Sequence, residues 1–394
     1  MSKILLEVNG VRYDGWTEVT VSKSIENLCG SFDFSTTVKE SAGLVIQNDL
    51  KAQDEVKIFI DDTLILTGNI ESLSISYSTS DHSIRVSGRD KTGDLIDSSI
   101  VQKNYKQTNF IKLATAILTD NGYSSIKILN KIASSSALTV GATPSNGISL
   151  EIGEQPTTDQ GETIASCLSK YASKIQALLI TDNDGNINVT TEGSSFSAGD
   201  LVSGGGEANI LSASIEIDTT DRFRYVEVYS QSNNDADSKH SINQIAIEED
   251  AVIRNPRRKR ISVPTASKSS TLKNLAKWNV NIKRAKGMRY SCTVQDFYAS
   301  KSGGAVWLPN TLVQVKDERC QIDGQFLIQG VTYKQGIDGS FTDLAIVEKG
   351  AFSVEPETES TGSTGKKKGK KSTKGFAGNL FADMTDEAMK LLGK

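Results

Sequence analysis

Short segments in which apolar and polar residues alternate make up most of the first 87 residues. Six such segments, separated by Asn-Gly, Asp-Gly and similar turn-forming pairs, read "ILLEV", "TEVTVSKS", "SFDFSTTV", "DEVKIFID", "LILTGNIESLSISYS" and "HSIRVSG". A period of two is typical of strands that bury one face. The pattern therefore predicts a first β unit over residues 1–97, folded as a small barrel or a sandwich.

Helical spacing replaces this alternation in residues 98–202. Apolar positions recur every three or four residues in two places, at Phe110, Ala114 and Ile117, and then at Ile164, Leu168, Tyr171 and Ile175. The first helix is expected to begin at Thr108 and to stop at Asn121-Gly122, and the second to begin near Asp159. The stretch "ALLITDNDGNINVTT" then predicts two strands around a turn. Residues 98–202 are thus predicted to form an α+β domain.

Strand patterns return in residues 203–237 and 288–352, which we interpret as a second, discontinuous β-barrel. Residues 238–287 form an insertion with a helix over 270–286 that Gly287 ends. The two β units share an internal echo, since "DEVKIFIDDTLILTGNIESLSISYSTSDHSIRVSG" and "TLVQVKDERCQIDGQFLIQGVTYKQGIDGSFTDLAIVE" have the same order of strands and turns. The fold class predicted is mainly β with α+β insertions, and the echo favours a duplicated β domain.

The last 42 residues have a different composition. Residues 353–375 are rich in Glu, Ser, Gly and Lys, which predicts a flexible linker. Residues 376–394 predict an amphipathic helix too short to be stable alone, so we expect it to dock on a neighbouring protein rather than on its own barrel. Its apolar docking face consists of Phe376, Leu380, Phe381, Met384 and Leu391.

Charge and cysteine content add two expectations. From residue 351 onward, eight Lys face six Asp plus Glu, so a net −4 chain has a basic tail and a body of net charge −6. The four cysteines show neither paired nor metal-ligand spacing, which indicates reduced, incidental thiols. The chain also has neither a signal-peptide pattern nor a long apolar run, so stable membrane insertion is not expected.

Candidate catalytic chemistry is sparse. His82 and His240 lie in polar stretches without a nucleophile motif, which favours two solvated turn histidines. The calcium-like "DNDGN" and the phosphate-loop-like "GKKKGKKS" both lack the spacing of the motifs that they imitate. Six lysines within residues 366–374 lack the aromatic platform of a nucleic-acid site. We predict no catalytic residue, no cofactor and no metal.

The stretch "VSGRDKTGDLIDSS", residues 86–99, concentrates charge directly after a strand. Gly88 ends the strand, Arg89 and Asp90 follow, Thr92 can cap a helical turn, and Asp94 then lies near the positive end of that turn. Without a nucleophile, this arrangement indicates a rigid strand-to-helix joint rather than an active site.

The same stretch resembles the strand-end motif of baseplate hub proteins of contractile phage tails, in the Mu-type and late-control-D group. Further similar stretches follow in order: "LLITDNDGNINVTT", "DRFRYVEVYSQS", and "AKWNVNIKRAKGMRYSCTVQDF" with "VWLPNTLVQVKDERCQIDGQFLIQGVTY". The resemblance covers residues 4–352. It departs from the family pattern at Ser230-Gln231 and at Asp296-Phe297, where Gly-Gln and Gly-Trp are usual.

The resemblance implies a structural function. It implies a homotrimer in which each chain gives two tail-tube-like barrels to a pseudo-sixfold ring, adapting a sixfold tail tube to a threefold central spike. Expected partners are the tube protein, the spike protein and other baseplate proteins, in a virion tail assembled in the host cytoplasm. DNA would pass through the lumen without specific binding. Gly88, Arg89, Asp90, Asp94, Trp307, Pro309 and Asn310 become candidates for scaffold or interface residues.

Two alternatives to a phage baseplate hub stay open at this point. The same part serves phage-like bacteriocins and other injection machines. A tail-associated protein that cleaves cell walls would need an added domain with a carboxylate-bearing cleft, and the sequence shows no segment of that size.

Overall fold

The computed structural model describes residues 2–38, 50–79, 82–132, 150–152, 155–175, 177–193, 195–230, 244–263, 269–300 and 304–352. Strands dominate these ranges, which confirms the predicted mainly β class. The helices are α1 (Gly93–Asp97), α2 (Phe110–Asp120), α3 (Ile164–Lys174) and α4 (Ser269–Lys286).

The first seven strands come from the predicted first β unit. They are β1 (Ile4–Val8), β2 (Val11–Tyr13), β3 (Glu18–Ser24), β4 (Ser31–Val38), β5 (Glu55–Ile60), β6 (Thr63–Tyr77) and β7 (His82–Asp90). Five short strands follow: β8 (Ile128–Asn130), β9 (Leu178–Thr181), β10 (Ile187–Thr190), β11 (Ser195–Phe196) and β12 (Leu201–Val202). The remaining strands are β13 (Ile210–Ile217), β14 (Tyr225–Ser230), β15 (Gln244–Glu249), β16 (Arg258–Val263), β17 (Met288–Gln295), β18 (Thr311–Asp317), β19 (Ile322–Gly336) and β20 (Gly339–Glu348).

One 14-stranded sheet contains strands of both β units. Its order is β13-β17-β20-β19-β3-β4-β7-β6-β5-β1-β2, and β18 pairs with β19, β11 and β12. The two units meet where β3 pairs antiparallel with β19, residues 19–24 against 330–335. We call this pairing the internal seam. Among the described residues the order runs from β13 to β2 without a closing pair, so closure into barrels stays a prediction.

The sequence echo corresponds to one strand order that occurs twice. In the first unit β5, β6 and β7 form an antiparallel meander, β4 pairs with β7, and β3 pairs with β4. In the second unit β18, β19 and β20 form the meander, β17 pairs with β20, and β13 pairs with β17. The long strands β6 and β19 have 15 residues each, and each carries a register shift against the following strand. Five strands of the first unit, β3 to β7, therefore have equivalents in the second unit, whereas the strands beside β5 and β18 differ.

The α+β segment has its own core, built from α2, α3 and the β8-β10-β9 sheet. The helix predicted at Thr108 begins one residue later, because the side chain of Asn109 accepts the hydrogen bond from the Lys112 amide. Thr163, rather than a residue near Asp159, caps α3. The first helix stops at Asn121 and Gly122 as predicted, and Gly122 has φ +88°.

A third sheet corrects one assignment made from the sequence. The strand within "DRFRYVEVYSQS", β14, was assigned to the second β unit, but it lies in a separate sheet of order β15-β14-β16. The reason is that Val226 and Val228 pack against Leu272 and Ala276 of α4. The helix of the insertion spans Ser269–Lys286 and ends at Gly287, close to its predicted limits.

Candidate functional site

A polar surface extends over eight neighbouring strands of the large sheet, from β13 to β6. Side chains alternate between the faces of a strand, and directly paired residues share a face. One face contributes Val21, Phe34, Val86 and Tyr333 to the hydrophobic core. The other face, here called the polar face, carries Ala345 and Phe341 and otherwise consists mainly of polar residues: Ser212, Ser214, Glu216, Arg289, Ser291, Thr293, Asp343, Thr332, Lys334, Glu18, Thr20, Ser22, Ser31, Asp33, Ser35, Ser83, Arg85, Ser87, Arg89, Ser72, Ser74 and Ser76.

Hydroxyl groups connect neighbouring strands across the polar face. The Ser214 and Ser291 hydroxyls lie 2.8 Å apart, and Ser76 and Ser83 lie 2.6 Å apart. The internal seam has its own bridge, between Ser22 and Thr332 at 3.1 Å. Similar contacts therefore occur within each unit and between the two units, which makes the polar face chemically continuous.

The charges of the polar face are paired. Lys334 lies 2.6 Å from Asp343, Arg85 lies 2.8 Å from Asp33, and Arg289 lies 3.8 Å from Glu216. Arg89, which pairs with Ser31, lies 2.6 Å from Glu71. Each of these four cations thus has a carboxylate partner. With Glu18 as a further carboxylate, the face is slightly acidic, and it offers hydroxyls rather than free cations.

Asp90 organises the joint predicted in "VSGRDKTGDLIDSS". Its Oδ2 accepts hydrogen bonds from the Gly30 amide at 2.7 Å and the Thr181 hydroxyl at 3.0 Å. Its Oδ1 accepts from the amide and the hydroxyl of Thr92, at 2.9 and 2.6 Å. Burial raises the pKa of Asp90 even though these hydrogen bonds oppose the shift. The carboxylate therefore connects the residue before β4, the start of α1 and β9 of the α+β segment.

The neighbours of Asp90 also have structural contacts. Arg89 donates from Nε to Glu71 at 2.7 Å and pairs with Asp97. Asp94 lies exposed in the first turn of α1, as predicted. Thr92 occupies the N-cap position of α1, but the prediction that its side chain caps this helix is wrong. Its hydroxyl contacts Asp90 and the Leu28 carbonyl instead.

The "DNDGN" stretch is the hairpin turn that its spacing predicts, and it docks on the first β unit. Gly185 has φ +82°, and the Asp182 carboxylate accepts from the Asn186 amide at 2.8 Å. Lys23, buried in β3, donates from Nζ to the Asn183 side chain at 2.8 Å and to the Ile65 carbonyl at 3.1 Å. The sequence analysis did not identify Lys23, although its position in the alternating pattern places it on the same face of β3 as the buried Val19 and Val21.

Lys23 predicts a pH dependence of stability. Burial lowers its pKa from 10.5 to about 8. Between these values the unfolded chain holds the proton that the folded chain has released, so the contribution of Lys23 to the free energy of unfolding should rise with pH from about 8 to 10.5. The buried thiols act in the opposite direction above their ordinary pKa of 9.0, so the test compares chains rather than one curve. In denaturant titrations across this range, the free energy of unfolding of Lys23→Met should change with pH by a less positive slope than that of the unmodified chain. The exposed Lys57→Met is the control, and equal slopes in both variants would contradict the assignment.

The Trp-Leu-Pro-Asn stretch anchors the chain beside β18. Trp307 is buried, and its carbonyl accepts a hydrogen bond from Tyr333. Asn310 has φ +61°, donates to the Thr191 carbonyl at 2.9 Å and accepts from the Gly193 amide at 2.8 Å. Pro309 lies half-buried between them.

Three further observations concern residues that the sequence singled out. Asp296 has φ +68°, so it takes the left-handed backbone suited to the glycine usual at this position in the resembled family. The interpretation of His82 as a solvated turn residue is wrong: it is 5% exposed and shares the parity of Ile84 and Val86, whose side chains enter the core. His240 and all the predicted C-terminal docking residues lie outside the described residues.

Sequence reasoning overlooked an arginine-rich stretch, "RNPRRKR", at residues 254–260. In the third sheet, Glu227 accepts from Arg258 at 2.6 Å and from Arg260 at 3.0 Å. Nearby, Arg222 is buried and donates two hydrogen bonds to Asp250, at 3.0 and 2.7 Å. These arginines thus hold together the sheet and the loops around it.

Three remaining features are the cysteines, the side chains that could bind a metal ion, and the lengths of the helices. The four cysteines are free thiols, and burial raises the pKa of Cys292 to about 12 and that of Cys29 to about 11. Within the described ranges, no cluster of three or more His, Cys, Asp or Glu side chains is placed to hold a metal ion. The helices described in this structure are all too short or too polar to cross a membrane.

Two protein families match the chain in the regions of the duplicated strand order. The family described as "Mu phage baseplate assembly protein GpP-like, N-terminal" matches residues 3–90. The family described as "Mu phage baseplate assembly protein GpP, fourth domain" matches residues 268–355. These regions contain the two equivalent meanders.

Similar proteins extend the match to most of the chain. The baseplate hub protein gp44 of Escherichia phage Mu is 25% identical over 369 residues, covering 90% of each chain. The 43 kDa tail protein of prophage MuSo2 from Shewanella oneidensis superimposes with a TM-score of 0.71 at 24% identity, covering 89% of this chain and 99% of that one. A tail protein from Neisseria meningitidis MC58 gives a TM-score of 0.72 at 22% identity, covering 89% and 98%.

The fold is that of phage tail proteins, with two units joined in one sheet. Two regions of the chain match Mu phage baseplate assembly families, and over most of its length the chain is similar to a Mu-type baseplate hub protein. It is therefore a structural component of a phage tail baseplate. The prediction that it is not an enzyme is confirmed, since its relatives are structural tail and baseplate proteins.

Proposed function

We propose that the chain forms a homotrimer that adapts a sixfold tail tube to a threefold central spike. The observation that carries this proposal is the strand order that occurs twice within one continuous sheet. Three copies of a chain with two equivalent units present six similar β units to one neighbour. To another neighbour they present three copies of a segment that occurs once in each chain. Each unit would curve into a tail-tube-like barrel, and six of them would form a pseudo-sixfold ring.

The polar face is proposed to line the central channel of this ring. It extends through the internal seam, as a wall shared by all six units would require. Its cations are paired with carboxylates, so passing DNA phosphates would meet hydroxyls and a slightly negative surface. DNA would therefore slide through the lumen without specific binding.

The joint residues serve this assembly as scaffold. Asp90 holds the first β unit against the α+β segment through Thr181, and Arg89 holds α1 against β6 through Asp97 and Glu71. Gly88 permits the close approach of β6 and β7, and Asp94 lies in the first turn of α1. Trp307, Pro309 and Asn310 hold the chain after β10 against the second unit. Such fixed angles between segments would keep the six units in register for contacts with the tube protein and other baseplate proteins.

The C-terminal segment is proposed as a tethered anchor. Residues 353–375 would act as a flexible leash, and the apolar face of residues 376–394 would dock in a groove of a neighbouring baseplate or spike protein. Assembly would occur in the host cytoplasm, before the tail is complete.

Native mass spectrometry tests the trimer and the anchor together. The full chain should give a species of three times 42.5 kDa, and a chain ending at residue 352 should give a species of three times its own smaller mass. Only the full chain should capture the adjacent spike or baseplate protein in a pull-down. Monomers of both chains at tail-like ionic strength would contradict the trimer. Unchanged capture by the shortened chain, with a lowered melting temperature, would show instead that the segment stabilises its own hub.

A further inference from the structure

Two strand edges of the large sheet have no partner among the described residues. β13 pairs on one side only, with β17. Residues 72–77 of β6 pair on one side only, with β7. Tyr77 in this second edge is 85% exposed, and Leu211 in β13 is 54% exposed. Strand edges of this length with apolar side chains tend to pair with another strand.

The duplicated strand order shows what each edge is equivalent to. Leu73 faces Val86 in the first unit as Val331 faces Leu344 in the second, so residues 72–77 correspond to residues 330–335 of β19. In the same way, β3 pairs with β4 as β13 pairs with β17, so β13 corresponds to β3. Residues 330–335 and β3 are the two sides of the internal seam. The two free edges are therefore the two halves of an interface that the chain already forms once.

The internal seam also gives a register for the free edges. Transferred to them, its pairs place Leu73 opposite Ile217, Ser74 opposite Glu216, Ile75 opposite Ile215, Ser76 opposite Ser214, and Tyr77 opposite Ala213. In this register every apolar side chain meets an apolar one and every polar side chain meets a polar one. A slip of one residue would place each side chain on the wrong face.

Exposure supports the same conclusion. In the internal seam Val21 and Tyr333 are both 0% exposed. Their equivalents at the free edges, Ile215 and Ile75, are only half-buried. The apolar side chains of the free edges thus lack the cover that the same positions have within the chain.

The two edges do not pair with each other within the described chain. Six strands lie between β13 and β6 in the sheet order. At about 4.8 Å for each of the seven spacings, the edges lie roughly 34 Å apart along the sheet. A second copy of the chain is the partner whose edge has the matching register and pattern.

We propose that β13 of one copy pairs antiparallel with residues 72–77 of β6 in the next copy, in the register given above. This inference rests on the proposed homotrimer and names the surfaces that build it. Each copy donates one edge and accepts one, so head-to-tail repetition with the rotation of the internal seam closes a ring. The polar face would then continue from one copy to the next through Ser76 and Ser214.

Disulfide trapping in the full chain tests this seam. The variant carries Ser76→Cys and Ser214→Cys, with the half-buried Cys29 and Cys320 changed to Ser. Directly opposed residues lie about 4.5–5.5 Å apart at Cα, within the range that a disulfide spans. Mild oxidation should convert most of the protein to a covalent trimer on a non-reducing gel. The control, Ser76→Cys with Ala213→Cys, should link at background level, because residue 213 faces the opposite side of β13.

The outcomes separate this inference from the trimer itself. A trimer by native mass spectrometry in which neither pair links would overturn the seam and leave the trimer standing. Equal linking by both pairs would overturn the register. A monomer in every variant, and in the unmodified chain, would overturn both proposals.

Discussion

Gly88→Ala should prevent the first β unit from folding. A Cβ at this position would lie 2.0 Å from the carbonyl oxygen of Asn69 and 2.7 Å from the Phe32 ring. The first contact is with backbone, so it cannot be relieved by rotating a side chain, and β6 and β7 would have to separate. We expect a loss of more than about 3 kcal/mol in the free energy of unfolding, at the upper end of the cost of overpacking. Urea titration and soluble yield measure the effect.

Gly336→Ala is the matched control in the second unit. Its added Cβ would have Thr17 O as its nearest neighbour, at 3.9 Å, which is ordinary contact. The expected change is within about 0.5 kcal/mol, as for other substitutions at open positions. A Gly88→Ala chain as stable as Gly336→Ala would show that β6 and β7 do not approach each other this closely.

Asp90→Ala should produce the second large effect. The substitution removes the acceptor of hydrogen bonds from Gly30, Thr181 and both donors of Thr92. Buried donors without an acceptor cost about 1–3 kcal/mol each, so a loss of at least about 3 kcal/mol is expected. Because the contact with Thr181 links two segments, limited proteolysis should also cut between the first β unit and the α+β segment.

Asp97→Ala is the control for Asp90. Asp97 pairs with Arg89, but its side chain is 61% exposed. Exposed ion pairs contribute about 1 kcal/mol or less, so this variant should melt close to the unmodified chain. If the two variants lose equal stability, Asp90 does not organise the joint.

Sequence patterns correctly predicted the elements whose conformation is decided by residues within the same segment. The alternation of "HSIRVSGRD" marks β7, and the spacing of Phe110, Ala114 and Ile117 marks α2. Turn chemistry identified the hairpin at Gly185. In these cases the residues that decide the conformation are neighbours in the sequence.

The features that the sequence did not reveal depend on contacts between distant segments. β14 follows a strand-like pattern, but its partners are set by the apolar face of α4, which lies about 40 residues later. The polar face is visible only once strand pairing places Ser22 beside Thr332. The burial of Lys23 depends on a hairpin from another segment, at Asn183. His82 is different, because its parity with Ile84 already indicated burial.

The internal seam also constrains when the chain can finish folding. It pairs Ser24 with Gly330, residues more than 300 positions apart, so β3 must wait for almost all of the chain to leave the ribosome. Until then β3 presents an open edge beside the already complete β4-β7 pair. Long-range strand pairing of this kind forms slowly and leaves edges exposed to other nascent chains. The order of synthesis thus makes the joining of the two units a late step, after each meander has formed from its own neighbouring strands.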